Sequence, residues 1–128
     1  MSLTVGIGKD SRSMEYKLAF EPEVFYWVMG PEIDLLNSVT GKYIDLYGGV
    51  TFKPIEFVHL RKLIGDVKER VSTKPDCWEE YVGRQTHPEE KDLYSKVSKT
   101  KFLEFLSLLE SIVVEAESKE MAVVFDGD

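Results

Sequence analysis

The chain has 128 residues and a mass of 14.7 kDa, with 43% apolar and 30% charged residues, the makeup of one folded domain over residues 1–128. Sixteen basic against twenty-three acidic residues leave a net charge of −7, which repels phosphate backbones and disfavours nucleic acid as a partner. The single cysteine, Cys77, excludes an internal disulfide and a cysteine-built zinc site, and the longest apolar run, residues 24–29, is far short of the roughly 20 residues that span a bilayer.

Lys9, Asp10, Arg12, Glu15 and Lys17 interrupt the first twenty residues, so no secretory leader is expected there, and a reducing cytoplasm is the expected setting. Leu3-Thr4-Val5-Gly6-Ile7 alternates as a short strand, and residues 8–13 read as a polar turn. Met14, Tyr16, Leu18 and Phe20 recur at period two, which predicts a half-buried strand. Residues 23–29 are aromatic and β-branched on both faces and read as a central strand. Gly30-Pro31-Glu32 opens a helix with Ile33, Leu36 and Val39 as the expected inner stripe, ending at Gly41. Residues 42–47 alternate as a further strand, closed by Gly48-Gly49, with residues 50–52 as a short return.

Two long helices carry the clearest signals. Phe57, Leu60, Ile64, Val67 and Val71 form one stripe at spacings of three and four, predicting a helix over 54–72 that Gly65 weakens. Phe102, Phe105, Leu106, Leu109, Ile112, Val113 and Ala116 predict a second over 99–119. Between them, Asp76 is expected to cap one helical turn at 77–82, residues 83–92 read as a loop, and 93–97 as a strand. A final strand is expected at 121–125. The fold class predicted is α+β: a mixed, mainly antiparallel sheet of about four to six strands with two long amphipathic helices packed on it.

Motifs for chemistry are weak. Gly6-Ile7-Gly8-Lys9-Asp10-Ser11 has its glycines too close together for a phosphate loop and lacks the third glycine of a dinucleotide site. Asp126 and Asp128 follow a strand as a metal-binding pair would, but an acidic chain end is the simpler reading. Cys77 and His87 form a conceivable nucleophile and base, but Asp76, Glu79 and Glu80 surround the thiol with acids, which are expected to blunt its nucleophilicity. No catalytic residue, metal site or cofactor is therefore assigned.

The charge is unevenly spread: −4 over residues 21–52, +3 over 53–74, −3 over 75–96 and −4 over 97–128. Within the acidic stretches, Trp78 and Tyr81 are three apart, so one helical turn would present them together with Glu79 and Glu80. With Glu89 and Glu90 they make an aromatic and acidic knob suited to a basic protein surface. In profile (small, acidic, α+β) the chain is similar to bacterial immunity proteins, a likeness of composition that no motif carries. The expected function is a non-catalytic, acidic protein-binding module, an inhibitor or immunity-type protein masking a basic partner, with Trp78, Glu79, Glu80, Tyr81, Glu89 and Glu90 as its contact residues. One alternative is a small enzyme or ligand-binding domain with a pocket between sheet and helices, where Tyr43, Tyr47, His59 and His87 supply the polar groups. Another is a structural or regulatory subunit that dimerises through the stripe from Phe57 to Val71; the sequence leaves the oligomeric state open.

Overall fold

The structure is a computed structural model and describes residues 3–127. In chain order it contains β1 (Thr4–Gly8), β2 (Glu15–Ala19), α1 (Val24–Val28), α2 (Gly30–Thr40) and β3 (Gly49–Phe52). A 3-10 turn (Pro54–Glu56) leads into α3 (Phe57–Val71), followed by β4 (Cys77–Gln85), β5 (Lys91–Ser98), α4 (Lys99–Ser118) and β6 (Ala122–Asp126). The fold is α+β, with every strand pair antiparallel.

Four strands form one sheet in the order β2-β1-β6-β3, while β4 and β5 form a separate hairpin. The apolar β6, Ala122-Val123-Val124-Phe125, is buried throughout because it lies inside the sheet, between β1 and β3. The stripes of α3 and α4 meet over this sheet. Phe57, Leu60, Ile64, Val67 and Val71 are at most 2% exposed, so the stripe that would serve a dimer is already spent on the chain's own core. Rings from four elements and the β2–α1 connection interlock there: Phe20 packs edge-on to Phe105 at 4.8 Å, Phe25 to Phe102 at 5.2 Å, and Phe52 to Phe125 at 5.7 Å.

Two expected strands take other forms. Residues 23–29 contain α1, a one-turn helix rather than a central strand, with Val24, Phe25, Tyr26 and Val28 all buried. A short segment buried on every side carries no periodicity to separate helix from strand. Residues 42–47 form no strand either. The Tyr26 hydroxyl donates to the Ile44 carbonyl at 2.8 Å, with the Tyr43 hydroxyl 3.1 Å away, so a side chain holds a carbonyl that a ladder would have used. Burial, with the Tyr43 hydroxyl beside it, pushes the Tyr26 hydroxyl pKa well above its ordinary value and keeps that donor protonated.

The outer strands of the sheet are both blunted. On β2, Val5 pairs with Leu18 and Gly6 with Tyr16, so Lys17 is an extra residue that bulges the edge. The Lys17 ammonium lies 3.0 Å from Glu115 and 3.3 Å from Glu15. On β3, Lys42 Nζ donates to the Thr51 carbonyl at 2.7 Å and so occupies one acceptor near that edge.

Candidate partner-binding hairpin

Residues 77–82, expected as a helical turn, are the first six residues of β4, and the expected loop at 83–92 contains the rest of β4, the hairpin tip and the start of β5. The reason lies in Glu80. As a strand the segment turns Trp78, Glu80 and Val82 one way and Cys77, Glu79 and Tyr81 the other. A carboxylate on the inner side hides that alternation from a hydrophobicity pattern. In the structure Glu80 has a partner: the Trp78 indole N–H donates to its Oε1 at 3.1 Å. Trp78 packs edge-on to Phe102 of α4 at 6.5 Å, and Lys74 Nζ lies 5.7 Å from the indole centroid. Trp78 therefore anchors the hairpin's base to the body, and Val97, opposite it on β5, is buried in the core.

Trp78 and Tyr81 consequently lie on opposite faces, and the expected joint display of the two rings is corrected. Tyr81 instead pairs with Tyr94, directly across on β5, with ring centroids 5.7 Å apart at 72°. Tyr81 is 45% exposed and Tyr94 56%. Beyond this pair Gly83 faces Leu93, so Val82 is the extra residue of a bulge that returns the outward alternation to Arg84. The outward face thus reads Glu79 opposite Lys96, Tyr81 opposite Tyr94, and Arg84 opposite Asp92.

The expected contact residues separate into three groups. Trp78 and Glu80 are inner, half-buried supports; Glu79 and Tyr81 are on the outward face; Glu89 and Glu90 are at the tip. Arg84 neutralises part of this charge through Glu90 at 3.1 Å and Asp92 at 3.2 Å. Among the described residues, Glu79 and Glu89 make no ion pair. Tyr94 was not singled out from sequence; its place opposite Tyr81 follows only from the hairpin register.

The remaining sequence candidates are dispersed. Gly6 and Gly8 lie in β1, where β2 crosses closely: a Cβ at Gly6 would sit 2.5 Å from the Glu15 carbonyl oxygen. Asp10 then accepts from the backbone N–H groups of Arg12 and Ser13, a turn whose hydrogen bonds hold its carboxyl below its ordinary pKa. Of the acidic pair at the end of the chain, Asp126 is the last residue of β6 and Asp128 falls outside the described residues. His59 lines a groove of about 250 Å³ between α2 and α3, with Leu35, Val39, Leu63, Lys62 and Asp66. That groove separates two helices rather than sheet from helices, and Tyr43, Tyr47 and His87 do not line it.

Among the described residues no group of three or more His, Cys, Asp or Glu is placed to hold a metal ion, and no helix is long and apolar enough to cross a membrane. No family model, curated protein or solved structure matches the chain.

Proposed function

We propose that the chain is a protein-binding module of the inhibitor or immunity type, whose contact surface is the outward face and tip of the β4–β5 hairpin. The observation that carries this reading is the Tyr81–Tyr94 pair. Two aromatic rings are held edge to face on a hairpin that is exposed throughout residues 86–94. Tyr offers large contact area at low entropic cost and is enriched where binding energy concentrates. Glu89 at the tip makes no ion pair among the described residues, and residues 75–96 carry a net −3 within a chain of net −7. The partner is accordingly a protein with a basic surface. Long-range attraction speeds encounter, and the tyrosines supply the desolvated centre. The exposed free thiol of Cys77 suits a cytoplasmic setting, which belongs to the same proposal.

The test is affinity capture with the wild-type protein, followed by binding measurements on the retained partner. Affinity falls by about tenfold or more between about 0.05 M and about 0.5 M salt. The double variant Tyr81→Ala/Tyr94→Ala loses a further tenfold or so while its circular dichroism is unchanged. Association that ignores both salt and the tyrosines overturns the reading.

A second reading, a small ligand-binding domain, has one observation in its favour: the groove between α2 and α3 places an imidazole, His59, beside an apolar floor. Titration with small apolar anions, followed by the His59 ring resonances, decides it; resonances that stay fixed through the titration exclude this reading.

A further inference from the structure

Among the described residues four strands have an outer edge, and three of them are obstructed. A bulge at Lys17 breaks β2, Lys42 occupies the Thr51 carbonyl on β3, and the bulge at Val82 breaks β4. The fourth, β5, is eight residues long, unbulged, and exposed continuously from residue 91 to 94. Its sheet ends there: among the described residues β4 is its only strand neighbour, and α1 and α4 contact it besides. The base of the hairpin is seated against α1 and α4, while its exposed outer part is a bare two-stranded ribbon that a third strand would extend.

We propose that the edge of β5 pairs antiparallel with β5 of a second copy of this chain, about a two-fold axis at Tyr94. The inference is independent of the partner reading, since it rests on the backbone edge of β5 and the self-complementarity of its side chains. The charge pattern selects the register. With Tyr94 opposite Tyr94, Asp92 of each copy faces Lys96 of the other on the outward face. Sliding the strands by one step, so that residue 94 faces 93, sets Lys91 against Lys96 instead.

The centred register also continues the existing ladders across the axis. The Tyr81–Tyr94 pair becomes a row of four tyrosines. On one side of it, Glu79 and Lys96 of one copy are followed by Asp92 and Arg84 of the other, and the symmetric row lies on the far side. Charges alternate in sign along both rows, and each Asp92 gains a cation, Lys96 of the other copy, on its open flank.

Sedimentation velocity over a concentration series tests this. The wild type is expected to shift from monomer to dimer, and Asp92→Lys alone and Lys96→Asp alone each to raise the dimer dissociation constant on the order of tenfold. Mixed in equal amounts, those two variants restore opposite charges at both contacts, and dimer returns. In a Cys77→Ser background, Tyr94→Cys places two thiols at backbone positions about 4.5–5.5 Å apart, so mild oxidation crosslinks the dimer, whereas Lys91→Cys does not crosslink. A wild type that stays monomeric at every concentration overturns the proposal. So does a dimer that tolerates both charge variants, or one that crosslinks equally at either position.

Discussion

Arg70 of α3 holds Glu32 of α2 through both carboxylate oxygens, at 2.8 Å from Nε and 2.7 Å from Nη2, and the same Nη2 donates to the Val28 carbonyl of α1. One guanidinium thus ties three helices together. Glu32 is the one buried charged residue among those described, and Glu32 raises the Arg70 pKa above its ordinary value. Arg70→Ala leaves a buried carboxylate and a helix-end carbonyl without partners. The expected loss is about 2–4 kcal/mol, read as a lower urea midpoint. Arg70→Lys restores only part of it, since an ammonium does not reproduce the two-pronged geometry.

Glu56 contributes to acid sensitivity, beside Asp10 and Glu115, whose carboxyls are also held below their ordinary pKa. Burial pushes its carboxyl up, but Lys42 Nζ at 2.7 Å and the Lys53 backbone N–H at 2.9 Å outweigh that and hold the pKa below its ordinary 4.5. The unfolded chain therefore takes up the proton first as pH falls. The stabilising contribution is complete above the unfolded value and disappears as pH drops through the folded one. Glu56→Gln is expected to lower the urea midpoint at neutral pH, with the gap to wild type narrowing in acid as pH falls below the unfolded value of 4.5. A gap of constant size at neutral and acid pH would show that the ion pair contributes nothing through its charge.

The two faces of the hairpin respond differently to truncation. Trp78→Ala removes the ring that seats against Phe102 and should cost about 2–3 kcal/mol in thermal or urea unfolding. Tyr81→Ala removes only a cross-strand contact on the outward face and should stay within about 1 kcal/mol. Equal losses for both would mean that Tyr81 is part of the structural support.

Two glycines give opposite signs on substitution by alanine. At Gly65, inside α3, an added Cβ meets nothing within 4 Å, so the helix neither packs closely there nor needs the glycine. Gly65→Ala should stabilise the protein by about 0.5–1 kcal/mol. At Gly6 the same methyl would press on the Glu15 backbone oxygen and force β1 and β2 apart. Gly6→Ala should destabilise by about 1–3 kcal/mol. Differential scanning calorimetry on the pair of variants checks both signs.

The long elements were readable from sequence because their burial is one-sided. Phe57 to Val71 and Phe102 to Ala116 repeat at helical spacing, and α3 and α4 occupy those spans. The turn at Gly41 also ends α2 as expected, with φ of 75°. The short elements were not readable, for different reasons in each case. In α1 every side carries apolar residues, so its period is invisible. At Ile44 a tyrosine hydroxyl, distant in sequence, replaces a strand partner. In β4 the inward Glu80 relies on Trp78 for its hydrogen bond, and residues 86–94 of the hairpin are exposed throughout, so they have no apolar rhythm at all. Of the expected contact residues, the chemistry of Tyr81 and its acidic neighbours was legible, but the face on which each is presented depended on recognising a strand.

Because β6 sits between β1 and β3, the sheet has a gap at its middle until residues 122–126 have been made. A nascent chain still holding that segment in the ribosome has both neighbours in place and nothing to join them. Thr4 finds Asp126 only after all the intervening chain exists, so closure of the sheet follows the formation of its other strands. A premature stop ahead of Ala122 would therefore yield two detached strand layers with open backbone edges, a species destined for proteolysis or aggregation.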